Sequence, residues 1–526
     1  MPTKVDRGLK KLEFSLTDPH MSPMHRAGLA GLYMTLQQLE REGATPVGGL
    51  VWQLSPRRVE MVWAGNDREV LDWLLKESFR LNDGLIDLRG LGFLSIQGRV
   101  LVHQGILGTL LQRNSTHKKV GVVEKAFEVE ENQPPLMVRY KALSEYVYQN
   151  YASSLCDKDG YLSAKVLKVS GWLHPGAAVK HMAFGSDTSF EESAVLAFLL
   201  LFAPVGCFYF QLQSRLRAQR AQFALIVPEV LDLEGYARYR QRPGLREMGF
   251  KDFHASSLGD AGLRFLTLDE TAKLASEYGV PRCRVLTLGT VNWSAQQKTR
   301  TDSYLVEPGL RLAESYYLCR QELPDRMVMA KDGSRSVVIT SFSREIVAEN
   351  LVRGRPWYEG FADKVNSDDL FKQLTYERGG LYKMIRNSKL EWTERERQFV
   401  QACHEGISSS YGQLANRTRE GEAIPFDKFN VRFRTSLSRC KNAATFREFM
   451  ADFWARSGYV PTLRQHWNDL MGLVLEDWRK ARDLALLALA SYQGKGVRTT
   501  VDESELEIDE MAAAEPDFSD LEEEAD

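Results

Sequence analysis

Residues 12–36 read LEFSLTDPHMSPMHRAGLAGLYMTL, and this stretch decides how the chain begins to fold. Apolar and polar residues alternate over 12–16, which predicts a strand. Over 25–40 the apolar residues recur at helical spacing, which predicts a helix. The segment AGLAG at 27–31 leaves the first turns of that helix without bulky side chains. We therefore expect its backbone to approach another element closely.

A second stretch, SAVLAFLLLFAPVGCFYFQLQS at 193–214, contains no charged residue. Its length fits a transmembrane span, so a membrane-tethered protein is one alternative. Pro204 and Gly206 interrupt the stretch, and apolar and polar residues alternate beyond them. We interpret it as a buried helix over 190–203 followed by a strand over 206–212, with no membrane contact.

The rest of the N-terminal part mixes strands and helices. The stretches 50–54 and 58–64 flank a Ser-Pro-Arg turn and predict a hairpin. The sequence predicts Asp67 as the N-cap of the next helix. Further strands are predicted at the start of 224–233 and over 285–291.

After residue 370 proline becomes rare and helical periodicity dominates. Short connections between such helices are typical of an antiparallel bundle. Helices are predicted over 370–386, 393–408, 427–440, 444–456 and 461–493. The last of these would carry on one face Leu463, Trp467, Leu470, Val474 and Trp478.

The predicted fold class is therefore α+β, with a mixed α/β body over 1–370, a helical bundle over 371–500 and a disordered acidic tail over 501–526. The tail holds thirteen Asp or Glu and no Lys or Arg, which is typical of disorder. The remaining residues are basic, with 68 Lys or Arg against 57 Asp or Glu. This split suits a protein that meets a polyanion, although a slightly basic fold with a solubilising tail fits it equally.

This sequence lacks the motifs that identify several classes of protein. The six cysteines form no CxxC pair, which indicates free thiols in a cytoplasmic protein. GxxxxGK[ST], HExxH, GxSxG and a GxGxxG that follows a strand are all missing. His404-Glu405 is interpreted as plain helix surface. We predict no catalytic residues, no metal and no cofactor, and the alternative function is a metal-dependent nuclease with a dispersed carboxylate site.

Four basic clusters, interleaved with polar or aromatic residues, are the candidate nucleic-acid contacts. Lysine and arginine bind phosphates, whereas amides and hydroxyls read base edges. The competing interpretation is an ordinary solvated loop for the first cluster (112–119) and a charged strand or helix face for the second (215–220). It is a polar hairpin tip for the third (292–300) and ordinary exposed arginines on a bundle for the fourth (432–441). The cluster at 112–119 is predicted as a loop, and the one at 432–441 as a bundle face against single-stranded DNA. The candidate residues are Asn114, Ser115, Lys118, Lys119, Arg215, Arg217, Arg220, Gln296, Lys298, Arg300, Arg432, Arg434, Arg439 and Lys441.

Arginines also alternate with tyrosines just beyond the second cluster. Arg238, Arg240 and Arg242 accompany Tyr236 and Tyr239 in this segment. Such a pattern can pair with phosphates and stack on bases. A charged helix or strand face is the alternative.

Two stretches together resemble a known family. The segment 12–36, with HRAGLAGL at its centre, resembles the N-terminal signature of the large subunit of type I CRISPR interference complexes (Cascade) of the MYXAN subtype, the DevT-like family. The segment ALIVPEVLDLEGYARY at 224–239 resembles the same family. The resemblance covers about residues 10–490 and leaves the acidic tail outside. His25 and Arg26 belong to the signature, and we interpret them as structural contacts at the start of a helix.

This resemblance implies a function that the residues alone do not. The large subunit recognises a short protospacer-adjacent motif on duplex DNA and starts strand separation, while guide RNA reads the sequence. The implied partners are the CRISPR RNA-bound Cascade backbone subunits, target double-stranded DNA, its displaced single strand, and a recruited helicase-nuclease or transposition protein. The C-terminal bundle is similar to the separate small subunit, and a second product beginning near Met384 is a further hypothesis.

Overall fold

The computed structural model describes residues 10–494 apart from short gaps. The gaps fall at 130, 132, 176–177, 181–186, 215–221, 268–273, 293–296, 330–332, 388–389, 391 and 420–421. The acidic tail and its predicted disorder therefore lie outside the described residues. Within them the chain is mixed, with an N-terminal α/β body and C-terminal helices, so the predicted α+β class is confirmed.

The strands lie almost entirely in the first two thirds of the chain. They are β1 Lys10–Ser15, β2 Val51–Ser55, β3 Arg58–Trp63, β4 Phe79–Asn82, β5 Leu85–Leu88, β6 His117–Phe127, β7 Leu136–Tyr146, β8 Leu167–Lys168, β9 Ala178–Lys180, β10 Asp187–Ser189, β11 Glu191–Glu192, β12 Phe208–Leu212, β13 Gln222–Pro228, β14 His254–Ala255, β15 Cys283–Asn292, β16 Gln297–Val306, β17 Arg326–Met329 and β18 Ser336–Ile339.

Helices occur throughout and dominate after β18. They are α1 Pro23–Arg41, α2 Asp67–Ser78, α3 Ile96–Thr109, α4 Ala152–Leu155, α5 Ala194–Leu201, α6 Ala203–Gly206, α7 Leu233–Arg240, α8 Pro243–Arg246, α9 Leu258–Leu266, α10 Leu310–Glu322, α11 Phe342–Val352, α12 Phe361–Lys364, α13 Asp368–Tyr376, α14 Arg378–Arg386, α15 Glu394–Arg417, α16 Phe426–Arg439, α17 Ala443–Ser457, α18 Pro461–Gln465, α19 Trp467–Glu476 and α20 Trp478–Ser491.

Three sheets carry most of the strands. The first has the order β1-β3-β2, the second β14-β12-β13-β15-β16, and the third β17-β18-β7-β6. The pair β2 and β3 is the predicted hairpin, which is confirmed. Strand β6 lies at the edge of its sheet and pairs antiparallel with β7, with two register shifts near its start.

The central helix of the body is α1, which is buried along most of its length. Ser22 caps its N-terminus, and the His25 side chain returns a contact to the Ser22 backbone, so the two form a capping box. The small residues at 27–31, which were predicted to let α1 approach another element closely, lie against the backbone of 199–202. A Cβ on Gly28 or on Gly31 would lie 2.1 Å from the carbonyl oxygen of Leu199 or of Phe202 respectively.

The uncharged stretch at 193–214 packs against α1. It forms α5, the short α6 and then β12, so the predicted buried helix and strand are confirmed with a helical turn between them. Gly206 completes the contact, because a Cβ there would lie 1.8 Å from the carbonyl oxygen of Ala27. Within the described part of the chain, each helix is too short or insufficiently apolar to cross a bilayer.

The predicted N-cap of α2 is wrong in detail. Asn66, and not Asp67, caps α2, because its side chain accepts from the backbone N–H groups of Arg68 and Glu69. Asp67 is instead buried and accepts hydrogen bonds from the Trp63 indole and the Leu162 backbone.

The predicted helix over 461–493 is also wrong as one element. It is divided into α18, α19 and α20, with breaks at His466 and Asp477. Most of the predicted common face is nevertheless present, because Leu463, Leu470 and Val474 are buried and Trp478 is half-buried. Trp467 is 51% exposed, whereas Leu470 and Val474 are fully buried.

The buried apolar side chains form two large cores. The first runs from Leu12 to Ala348, and the second from Leu318 to Tyr492. Helices α10 and α11 contribute to both. The division at residue 370 stays a prediction, since α10 and α11 already supply side chains to the bundle. All six cysteines are free thiols, as predicted.

A buried ionic network joins the two cores. Arg344 of α11 donates to Asp260 of α9 at 3.0 Å, to the Leu323 carbonyl at 2.7 Å and to Asp325. Asp260 also accepts from the Tyr316 hydroxyl at 2.6 Å. Burial alone would raise the pKa of Asp260, but the nearby arginines outweigh it and lower that pKa to about 2.

The contact between α1 and α5 generates a stability prediction. Gly28→Ala should reduce the free energy of unfolding by about 1–3 kcal/mol or more, because the obstructing Leu199 oxygen belongs to a helix backbone. Gly412→Ala in α15 is the matched control, since a Cβ there meets nothing within 4 Å. It should stabilise the protein by about 0.5–1 kcal/mol. Denaturant unfolding of both variants is the measurement, and equal changes would contradict the packing described.

The ionic network generates a prediction of pH dependence. The depressed pKa of Asp260 contributes stability above the unfolded value of about 3.9, and this is lost as the pH falls towards 2. The free energy of unfolding of the wild type should therefore exceed that of Asp260→Asn by about 1 kcal/mol less at pH 3 than at pH 7. Asp452→Asn removes an exposed partner of Arg456 and should lower the free energy of unfolding by less than about 1 kcal/mol at both pH values. A pH-independent difference for Asp260→Asn would count against the network.

Candidate nucleic-acid interface

The strongest candidate interface lies on α16, and the inner face of that helix fixes its orientation. Asn430, Phe433, Arg434 and Leu437 are buried at the spacing of one helical face. The Tyr411 hydroxyl on α15 donates to the Asn430 side chain at 2.7 Å. The opposite face of α16 is therefore turned to solvent.

The outer face carries a row of cations. Lys428, Arg432 and Arg439 are exposed at positions i, i+4 and i+11, and we call them the cationic row. They line a surface depression of about 590 Å³ together with Asp427, Val431, Thr435 and Ser436. The two hydroxyls add hydrogen-bond donors beside the positive charges.

The charge balance around the cationic row differs from that around Arg434. Among the described residues, no carboxylate forms an ion pair with Lys428, Arg432 or Arg439, whereas Arg434 is paired with Asp368. An unpaired cation on a helix surface is available to a polyanion such as a nucleic-acid backbone. The row is therefore suited to bind several consecutive phosphates.

The structure separates the four candidates of this cluster. Arg432 and Arg439 belong to the row, and Lys441 is exposed just beyond the end of α16. Arg434 is only 7% exposed, so its charge serves the contact between α16 and α13. Sequence analysis missed Lys428, although its four-residue spacing from Arg432 would have indicated it.

The cluster at 112–119 has a different structure from the predicted loop. Asn114 and Ser115 are exposed in a single 3₁₀ turn, Asn114–Thr116, while Lys118 and Lys119 already lie on β6. The Lys118 ammonium contacts the Glu145 carboxylate of β7 at 2.6 Å, which lowers the pKa of Glu145. Within the described residues Lys119 has no ion pair, so it is the freer cation of the two.

His117 adds no charge to this cluster at neutral pH. Burial is the main cause of its lowered pKa of about 4, and the neighbouring Lys119 and Lys141 lower it further. Its Nδ1 lies 3.1 Å from the Thr116 hydroxyl. The histidine therefore helps to hold the turn at the start of β6.

Two clusters fall wholly or partly outside the described residues. Arg215, Arg217, Arg220 and Gln296 lie in the gaps. Lys298 and Arg300 lie on β16, where their backbones pair with Val291 and Gly289 of β15. These six residues remain predictions.

The segment 236–242 does not form the predicted stacking surface. Arg240 is 2% exposed and donates to the carbonyl oxygens of Val205 and Cys207 at 3.1 and 2.9 Å. The Tyr236 hydroxyl donates to the Gly206 carbonyl at 2.5 Å. These two side chains satisfy backbone carbonyls of α6 and of Cys207, so the prediction is wrong for Arg240 and Tyr236, whereas Arg238 is exposed and stays a prediction.

The side chains that could bind a metal do not gather at one place within the described residues. His404 is half-buried and not plain helix surface, because its Nε2 lies 3.0 Å from the Ser491 hydroxyl and burial lowers its pKa to about 4. Within the described ranges, His, Cys, Asp and Glu form no group of three that could hold a metal ion.

The two stretches that resembled a known family contact each other. The Arg26 guanidinium of α1 lies 3.6 Å from the Glu229 carboxylate, which also forms a bidentate ion pair with Arg282. Hydrogen bonding from Arg282 lowers the pKa of Glu229. His25 completes the capping box with Ser22 at the start of α1, so the interpretation of His25 and Arg26 as structural contacts is confirmed.

Comparison with known proteins agrees with this pattern. Residues 13–201 match the family model of the DevT N-terminal domain, and residues 387–524 match that of the DevT C-terminal domain. The chain belongs to the DevT-like family. It is also 28% identical over 531 residues to the CRISPR-associated protein Cas8a1/Csx13 of Myxococcus xanthus (strain DK1622). This alignment covers 92% of this chain and 89% of the Myxococcus protein.

The matched ranges correct the extent of the resemblance. The DevT-like signature at 12–36 lies within the first match except for its first residue, whereas 224–239 lies between the two. The C-terminal match runs to residue 524 and thus includes most of the acidic tail, which was expected to lie outside. The cationic row of α16 lies inside the DevT C-terminal match.

The cationic row generates a binding prediction. Arg432→Ala/Arg439→Ala should weaken binding of the full chain to single-stranded DNA. It should also make the slope of log affinity against log salt shallower by about 1.4, or about 0.7 for each lost phosphate contact. Fluorescence anisotropy with a labelled oligonucleotide over a salt series is the measurement.

A charge-matched control is available on the surface of the same region. Arg355 and Arg456 are exposed but already paired with Glu359 and Asp452. Arg355→Ala/Arg456→Ala should leave the salt slope unchanged. If both double variants alter the slope equally, total charge and not the cationic row governs binding.

Proposed function

We propose that this chain is the non-catalytic large subunit of a cytoplasmic type I CRISPR RNA-guided surveillance complex. In this function it recognises the protospacer-adjacent motif on duplex DNA, promotes local unwinding and recruits an effector. The effector is a helicase-nuclease or a transposition protein. Membership of the DevT-like family and the similarity to a CRISPR-associated protein support this proposal.

The observation that carries the proposal is the cationic row. Three cations that have no ion pair within the described part of the chain lie along one side of α16 and span about 17 Å, from the helical rise of 1.5 Å per residue. Such a row binds a phosphate backbone without reading its sequence. We assign it to the displaced single strand, whose sequence varies with every target.

Duplex DNA is assigned to the turn before β6. Asn114 and Ser115 are exposed there and can donate to or accept from base edges, and Lys119 can bind a phosphate. Among the described strands, β6 is paired only with β7, so the turn precedes an edge strand of its sheet. The candidates of the other clusters, Arg215, Arg217, Arg220, Gln296, Lys298 and Arg300, would extend the same contact.

The remaining partners follow from the proposed assembly. RNA-bound Cascade backbone subunits would hold the guide, and pairing of the guide with target DNA would supply sequence specificity. The protein itself would then need only motif recognition, electrostatic docking and retention of the displaced strand.

The proposal is tested by purifying the tagged full chain from cells that also express the other subunits and a guide RNA. We expect RNA of uniform length and several protein subunits to co-purify. The Arg432→Ala/Arg439→Ala variant should co-purify with the same set, because the row contacts DNA and not the subunits.

An RNA-free monomer would overturn the proposed function. Divalent-metal-dependent cleavage of DNA by that monomer would instead establish the metal-dependent nuclease. Intact-mass analysis of the same preparation tests the second product, since a species beginning near Met384 has a distinct mass.

A further inference from the structure

The acidic tail is not used by the proposed function. Residues 501–526 carry thirteen carboxylates and no Lys or Arg, whereas the rest of the chain has an excess of eleven basic residues. A segment of this composition has the charge density of a short polyanion. The question is which basic surface of the same chain it would meet.

The last described residues lie against the support of α16. Helix α20 contacts α16, and Tyr492, which follows α20, packs on Tyr411 with ring centroids 5.3 Å apart. Tyr411 is the residue whose hydroxyl holds Asn430 of α16. The chain therefore leaves the described structure close to the helix that carries the cationic row.

The tail is also long enough to follow the row. Asp502 stands eight residues after Gly494, and eight residues span at most about 28 Å when extended. The 14 residues of α16 extend only about 21 Å. A tethered segment meets a nearby surface at a high effective concentration, about millimolar for short linkers.

The cationic row offers what an acidic segment requires. Arg434, on the inner face, already has Asp368 as its counter-charge, and Arg482 of α20 has Asp363. Within the described residues, Lys428, Arg432 and Arg439 have no such partner. Carboxylates and phosphates bind arginine through the same paired hydrogen bonds, so one surface accepts either.

We propose that the acidic tail, residues 501–526, docks on the cationic row of α16 and competes with single-stranded DNA for it. The tail thus acts as an internal mimic of the displaced strand. It admits only a strand presented at high local concentration, as in an opened target. The competitor's identity rests on the proposed function, whereas the contact between tail and row does not.

The contact is tested first without DNA. Carbodiimide treatment of the full chain joins carboxylates directly to lysines that they touch, and mass spectrometry identifies the joined peptides. We expect tail carboxylates to be linked to Lys428 and Lys441. The links should decrease in Arg432→Ala/Arg439→Ala and in high salt, and should persist in Arg355→Ala/Arg456→Ala.

The competition is tested with a full-length variant in which every Asp and Glu of 501–526 is changed to Asn or Gln. Its affinity for a labelled single-stranded oligonucleotide should rise by roughly fivefold or more. The same change made in Arg432→Ala/Arg439→Ala should have little effect, because the surface that tail and DNA share is already weakened.

The outcomes separate the two proposals. Links from the tail to other lysines only, or an unchanged affinity after neutralisation while the row still binds DNA, would overturn tail docking and leave the proposed function standing. If the tail is linked to Lys428 and Lys441 but neither the wild-type chain nor the chain with the neutralised tail binds DNA, tail docking is supported and DNA is not the competitor.

Discussion

The contact on which the body depends is the close approach of α1 to the turn formed by α5 and α6. Gly28, Gly31 and Gly206 leave no room for a Cβ, so backbone lies against backbone along two turns of helix. The uncharged stretch can then be buried, because α1 covers it on one side and β12 continues it into a sheet. A stretch long enough to suggest a membrane span thereby becomes the centre of a globular core.

This contact is supported by residues of the two stretches that resembled the family, and by Arg240 just after the second stretch. Arg26 reaches Glu229, Tyr236 donates to the Gly206 carbonyl, and Arg240 donates to the carbonyls beside it. A helix end buried in a core must have its carbonyl oxygens satisfied, and Tyr236 and Arg240 do so. The two stretches that resembled the family are thus two sides of one structural junction. They carry the fold and do not identify the candidate nucleic-acid contacts.

The sequence predicted those features that depend on near neighbours. Strand alternation, the hairpin, the small residues of α1 and the buried stretch are all local patterns, and all are confirmed. The roles of Arg432 and Arg434 could not be separated in this way. Both belong to the same basic segment, and only the fold brings Asp368 to Arg434, 66 residues away. The alternation of Arg240 and Tyr236 likewise suggested a surface, whereas their partners at 205–207 place them in the core.

The boundary between body and bundle shows the same dependence on distant contacts. Proline content changes near 370, but Leu318, Phe342 and Trp357 already belong to the second core. Met384 lies within α14 and is fully buried, while α12 and α13, which precede it, pack on α20. A product beginning at Met384 would lack those helices and expose the apolar surface that they cover. Such a product would therefore need another subunit to cover α20, whereas in the full chain α11 and its Arg344 network tie that bundle to the body.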